Sequence, residues 1–426
     1  MKIIFDLYQD HIAYLQNIAA QILETSRYNS LIIHSGTEKN IYLDDQQYPF
    51  KANFYFLHWL PENLKDAFIL IDGINPPELI ILEEENIWTK NKNIHENVFA
   101  SQFNIKKIYN INELANNKIN NALFLGEDTE LAAELNINSC NDPNIIKQLN
   151  YHRAIKTPYE IECTKQANKI ARAGHDLIEE LISNPEESEF SLHNKYLATI
   201  KHEQQELPYS TIIAHNENCA VLHYQHKQKT APHELKSLLI DAGASYNYYA
   251  ADISRTYCYN PKDLFNEIIK ATDAAQLELT QHAISGYSWQ QLNHQANLKI
   301  ANILQEFKIT THTTEDLIEH KLTKYFFPHN VGHLLGLQTH DVGSKEHGNS
   351  INGRPELILK ENMIVTIEPG IYFILPLLQK LKDSKYKSKF NWDLIAKLKP
   401  YGGVRIEDNI HVGIDAATNL SRNNGL

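Results

Sequence analysis

The side chains best able to do chemistry are Asp241, Asp252, His333, Glu368 and Glu407, each on a short apolar, Gly-rich segment. The segments read LLIDAGASYNYYAADISRT (238–256), HNVGHLLGLQTHD (329–341), IVTIEPGIYF (364–373) and GGVRIEDNI (402–410). A carboxylate in such surroundings is costly unless something binds it. Four carboxylates and one imidazole suit a pair of divalent cations, with Mn²⁺, Co²⁺ or Zn²⁺ favoured over soft metals. Two such ions can share a water, lower its pKa and polarise a carbonyl or phosphoryl oxygen. A neighbouring carboxylate can carry the proton from that water to a leaving nitrogen. Taken singly, each residue has a plainer reading. Asp241 could cap a turn, and Glu368 or Glu407 could be a strand residue paired with Arg405.

The elements that must position these groups follow from the local pattern. Asp241 ends an apolar strand, Gly243-Ala244-Ser245 turns the chain, and Asp252 is expected on a returning strand, so a hairpin joins the two carboxylates. Glu368 and Glu407 are expected inside the Val/Ile-rich strands IVTIEPGIYF and VRIEDNIHV, where propensity disfavours Glu. His329, His333 and His340 cluster within twelve residues. Asn330, Gly332 and Gly336 argue against a helix there, and position 330 lacks the Glu of a zinc-protease HExxH helix, so a loop or strand is expected.

The organisation is α/β (α+β) in two domains, 1–152 and 153–426. HIAYLQNIAAQILE (11–24) has helical spacing, while SLIIHSG, DAFILIDG and PELIILEE read as buried strands. Thr157-Pro158-Tyr159-Glu160 combines an N-cap, Pro at N1 and a capping-box Glu, and opens a long helix. Further helices are expected at 191–206, 261–285 and 288–306. The basic run KLKDSKYKSKF (380–390) reads as a solvated loop.

At 426 residues, 42% hydrophobic and 22% charged, the chain has the composition of a globular protein with a sizeable core. A formal charge of −12 argues against nucleic-acid and anionic-membrane partners. Cys140, Cys163, Cys219 and Cys258 show no CxxC spacing and read as buried, reduced thiols in a cytoplasmic protein. Asp6 and Asp10 interrupt any signal-peptide core, and no run approaches the ~18 apolar residues of a membrane span.

These motifs resemble the pita-bread metallopeptidases: methionine aminopeptidase, Xaa-Pro aminopeptidase, creatinase and prolidase. HNVGHLLGLQTHD is similar to the proline-peptidase signature, the two Asp residues are eleven apart, and TIEPG and RIED follow in the family's order. LIIHSG, YLDDQQYPFKAN, RAIKTPYEIECTKQA and NENCAVLHYQ extend the resemblance over the whole chain, to the bacterial Xaa-Pro dipeptidases (PepQ-type prolidases).

The resemblance implies a smaller N-terminal α/β domain, a C-terminal pita-bread catalytic domain and a homodimer. It implies hydrolysis of Xaa-Pro dipeptides by a hydroxide activated between two divalent ions, Mn²⁺ foremost. Asp241, Asp252, His333, Glu368 and Glu407 would be the ligands, with Asp252 and Glu407 bridging and Glu368 also moving the proton. His223, His329, His340 and Arg405 match active-site positions.

Arg354 matches the Arg that recognises the proline carboxylate, although a loop Arg after Gly353 would look the same. Trp88 matches an N-domain Trp that reaches a partner's site, although a core Trp would too. Asn330 departs from the small residue usual after the first His, and the 342–353 loop is shorter than in close relatives. Both put substrate breadth in question. The rivals are an Xaa-Pro aminopeptidase acting on longer peptides, with organophosphate hydrolysis as a side activity, and a metal-free binding protein on the same fold.

Overall fold

A computed structural model describes residues 2–83, 93–115, 119, 121–182, 184–342, 350–351, 354–355 and 357–422. Trp88 lies outside the described residues, as does most of the 342–353 loop. Contacts divide the chain into two compact units, residues 1–153 with 157–162 and residues 154–156 with 163–426.

In the first unit, helix α1 (Lys2–Thr25) precedes β1 (Ser30–His34), α2 (Phe54–Trp59), β2 (Ala67–Ile71), β3 (Glu78–Leu82) and β4 (Asn104–Ile108). There follow α3 (Asn112–Ala115), β5 (Ala122–Leu125), α4 (Thr129–Glu134), β6 (Ser139–Cys140) and α5 (Pro143–Ala154). One sheet runs in the order β4-β3-β2-β1-β5-β6. The strands β1 and β5 are central, parallel neighbours and buried along their whole length. That is why SLIIH and ALFL are continuous apolar runs instead of alternating ones. Helix α1 starts well before the periodic segment at 11–24.

Helix α6 (Pro158–Leu181) begins as the capping box requires, with the Thr157 amide donating to Glu160 Oε2 at 2.8 Å. After it come α7 (Glu189–Ile200), β7 (Ile212–His215), β8 (Ser237–Asp241), β9 (Ser245–Tyr246), β10 (Tyr249–Ala250) and β11 (Ser254–Cys258). Then follow α8 (Leu264–Thr280), α9 (Trp289–Glu306), α10 (Thr314–Glu319), β12 (Ser350–Ile351), β13 (Arg354–Pro355), β14 (Ile364–Ile367) and β15 (Gly370–Tyr372). The order ends with α11 (Leu375–Lys382), α12 (Trp392–Leu398), β16 (Gly403–Arg405), β17 (Asp408–His411) and β18 (Thr418–Asn419).

Three antiparallel groups form the second unit's sheet framework: β11-β8-β7, β14-β17-β18 and β15-β16. Ser254 and Glu407 join the first group to the chain between β16 and β17 through an isolated bridge. The α8 and α9 residues Phe265, Ile268, Leu292 and Ile300 pack in one core with Val365, Ile367, Val404 and Ile410 of the strands. The 380–390 run is not wholly a loop. It starts inside α11, because Leu378 and Leu381 are buried one turn apart while Lys380 and Lys382 face solvent. None of the four cysteines forms a disulfide, and contrary to the expectation of four buried thiols, Cys140 and Cys258 are partly exposed while Cys163 and Cys219 are buried.

Candidate active site

Three carboxylates do not stand inside strands, where the sequence pattern puts them. Asp252 lies between β10 and β11, Glu368 is the residue after β14, and Glu407 separates β16 from β17. Only Asp241 is a strand residue, the last of β8. A strand end or break leaves a side chain without a fixed in-or-out direction, so all four carboxylates can turn toward one region. The three histidines stand on irregular backbone, as Gly332 and Gly336 require.

Asp252, His333 and Glu407 offer donor atoms that all lie within 4.8 Å of one another. His333 Nε2 is 3.5 Å from Asp252 and 3.9 Å from Glu368. His333 Nδ1 contacts the Leu334 carbonyl at 2.9 Å. Donation there leaves the Nε2 lone pair facing the carboxylates, the tautomer a metal ligand needs. Asp252 is held by its neighbour Asn409, whose Oδ1 accepts from the Asp252 amide at 2.9 Å. The Ser254 hydroxyl donates to Glu407 at 2.7 Å.

Asp241 pairs with Arg405, its Oδ2 accepting from Nη2 at 2.6 Å, so Arg405 serves neither Glu368 nor Glu407 as ion-pair partner. The same guanidinium reaches Ser254 Oγ at 3.1 Å and the Tyr372 hydroxyl at 3.2 Å. Tyr372 in turn meets His329 Nε2 at 2.8 Å. His329 Nδ1 stands 3.8 Å from Glu368. His340 is exposed, and its ring centroid lies 4.3 Å from that of His333. His223 is also exposed and acts electrostatically on His329. Arg354 stands on β13, paired through Ile351, and its side chain is outside what is described.

The electrostatics are those of negative charge gathered for a cation. Burial pushes Glu407 well above the usual carboxylate range, and Asp252, Glu368 and Asp241 push it further. Burial raises Glu368 to about 7 against the pull of His333 and Arg405. Asp241 is also raised by burial, despite Arg405, and its Oδ1 is buried without a hydrogen-bond partner. Burial would lift Asp252 as well, but His333 holds it below the usual range. His333 overcomes its own burial through Asp252 and rises to about 9. An orphaned Asp241 oxygen among like charges, and an imidazole whose Nε2 proton a metal would displace, fit a divalent ion.

Tyr372, Ser254, Thr366, Asn409 and Tyr209 also shape the site. The first four are polar residues within the apolar segments, which was the available signal, while Tyr209 lies outside them. Thr366 Oγ1 accepts from the His333 amide at 3.0 Å, and the Thr366 amide donates to the His333 carbonyl at 2.8 Å. Burial, then the charges of Asp241 and Asp252, push the Tyr209 phenol well above its usual range.

Gly332 makes the His333–Thr366 approach possible, since a Cβ there would lie 2.0 Å from the Thr366 carbonyl oxygen. Gly332→Ala is therefore expected to displace His333 and lower kcat/KM by about 100-fold, the scale of a misplacement near 1 Å. Steady-state kinetics at saturating metal would check it. A loss under threefold would mean that the strand gives way at no cost to His333.

Comparison with known proteins matches residues 162–413 to metallopeptidase family M24 and residues 6–151 to the N-terminal domain of Xaa-Pro dipeptidase. The chain is 39% identical over 435 residues to the Xaa-Pro dipeptidase of Pseudoalteromonas translucida, covering 99% of this chain and 98% of that one. It is 38% identical to the Xaa-Pro dipeptidase of Shewanella pealeana at the same coverage. Among solved structures, aminopeptidase P from E. coli with the inhibitor Pro-Leu aligns with a TM-score of 0.76 at 20% identity, over 97% of this chain and 95% of that one. Pseudomonas aeruginosa aminopeptidase PepP gives 0.77 at 19%, over 97% and 94%. At those identities the structures speak for the fold alone, but the family matches and full-length relatives do more: the chain belongs to metallopeptidase family M24 and carries the N-terminal domain of its Xaa-Pro dipeptidases.

Proposed function

We propose that the chain hydrolyses Xaa-Pro dipeptides to an amino acid and proline, with Asp241, Asp252, His333, Glu368 and Glu407 holding two divalent ions. The observation that carries this reading is the convergence of Asp252, His333 and Glu407 within 4.8 Å in a chain matching Xaa-Pro dipeptidases from end to end. When bound, the ions would supply Lewis acidity and lower the pKa of a shared water. The oxygen-rich donor set favours Mn²⁺, with Co²⁺ or Zn²⁺ as substitutes.

Glu368 takes the proton of the attacking water and returns it to the proline nitrogen as the peptide bond breaks. His329 stays neutral at neutral pH, because burial and then Arg405 hold it near 4. It therefore orients groups by hydrogen bonding, without adding charge beside Glu368. Arg405 fixes Asp241 and Tyr372. His223 and His340 orient the substrate and steady the developing oxyanion, and Arg354 anchors the proline carboxylate. The active form is a cytoplasmic homodimer. Residues 1–152 form the N-terminal domain and 153–426 the catalytic one.

With Mn²⁺, Gly-Pro and Leu-Pro are expected to turn over at least tenfold faster than Xaa-Pro-Yaa tripeptides. The opposite order would make the chain an aminopeptidase. Arg354→Ala is expected to raise KM for Gly-Pro by roughly 10- to 100-fold, the value of one charge-assisted pair. The tripeptide KM should move little. Equal effects on both would remove the anchor role.

A further inference from the structure

The first unit holds a second gathering of metal-binding side chains, unrelated to the five ligands above. His11 of α1, His58 of α2 and Glu160 in the first turn of α6 offer donor atoms that all lie within 4.8 Å of one another. All three are buried, at 1%, 8% and 2% exposure. We propose that these residues form a third metal site, a structural Zn²⁺ site joining α1, α2 and the start of α6.

The spacing suits a small tetrahedral ion. Ligands at about 2.1 Å from zinc stand about 3.4 Å from one another. His58 Nε2 lies 3.3 Å from Glu160 Oε1, and His11 Nδ1 lies 3.9 Å from Glu160 Oε2. The His11 tautomer is set by the backbone of α2: its Nε2 meets the His58 carbonyl at 2.9 Å, where only a donor belongs. That leaves Nδ1 as the acceptor nitrogen, on the side of Thr157 and Glu160, the usual arrangement behind a metal-bound imidazole.

His58 supplies an independent observation. Its Nε2 is buried and makes no hydrogen bond, although it points at Glu160 from 3.3 Å. A buried ring nitrogen without a partner is costly, and coordination would satisfy it. In the metal-free chain the Thr157 hydroxyl donates to His11 Nδ1 at 2.9 Å, a hydrogen bond that coordination would replace. Two imidazoles and one carboxylate favour Zn²⁺ over Mn²⁺, unlike the oxygen-rich active site. Glu160 Oε2 accepts the Thr157 amide, and its Oε1 is the oxygen nearest His58.

Glu160→Gln and His58→Phe test the site in the full-length chain. Gln retains the capping-box hydrogen bond, so Glu160→Gln removes the carboxylate without uncapping α6. After equilibrium dialysis against Zn²⁺, the wild type is expected to hold one ion more per chain than either variant. Mn²⁺-dependent hydrolysis of Gly-Pro should stay within twofold in all three. If His58→Phe fails to fold, Glu160→Gln decides alone. Equal zinc content in the wild type and Glu160→Gln would overturn the proposal.

Discussion

Glu368→Gln is expected to lower kcat for Gly-Pro by about 10³-fold, within the range for loss of a general base. Glutamine keeps the length and one acceptor oxygen but cannot take a proton. The part-buried carboxylate stands between His333 at 3.9 Å and His329 at 3.8 Å. Neither can replace it, since His333 is committed to Asp252 and His329 is held neutral. Because Glu368 is also a proposed ligand, bound metal must be measured beside the rate. Full occupancy with a 10³-fold loss assigns the deficit to proton transfer, and a rate within tenfold of wild type removes Glu368 from that role.

Chelating the ions should make stability depend on pH in the direction opposite to ordinary acid denaturation. Burial raises Glu368 from 4.5 to about 7, so the folded metal-free chain binds a proton that the unfolded chain has already released. That difference destabilises the fold as pH rises through this window, and is fully present above it. At about 1.4 kcal/mol per pH unit it reaches roughly 3 kcal/mol for Glu368 alone.

Asp241 and Glu407, both raised, add in the same sense. His333, raised from 6.5 to about 9, contributes stability below 6.5 that is lost on passing 9, again in the same sense. Asp252 opposes them, since its lowered pKa adds stability above the ordinary Asp range that is lost in acid. The EDTA-treated chain should therefore melt roughly 5–10 °C lower at pH 8.5 than at pH 5.5. Mn²⁺ should abolish most of the difference. A chelated chain more stable at pH 8.5 would show that these carboxylates are not gathered as described.

Much of the first unit was legible because local rules decide it. The fully apolar SLIIH and DAFILI runs became strands of one sheet, and Thr157-Pro158-Tyr159-Glu160 opened α6. The long helices after 153 were legible for the same reason, although those expected at 191–206 and 261–285 end earlier, at Ile200 and Thr280. The exact stations of the carboxylates were not. Asp252, Glu368 and Glu407 were expected inside strands and stand at breaks, because pairing ends where another part of the chain intervenes. Ser254, for example, bridges to Glu407 across 153 residues. The partner of Arg405 was illegible on the same ground, since nearby Glu407 competes in sequence but distant Asp241 wins in space. Tyr372 gives no local sign that it links His329 to Arg405.

The ion pair between Arg405 and Asp241 joins residues 164 positions apart, and each carboxylate of the site depends on a different strand end. No short fragment can assemble such a site, and closing loops of that size comes late in folding. Metal capture is then a check on completed folding: a chain with one misregistered strand pair forfeits its ions. Loss of ions would expose that chain to the charge repulsion that only a correctly finished molecule escapes.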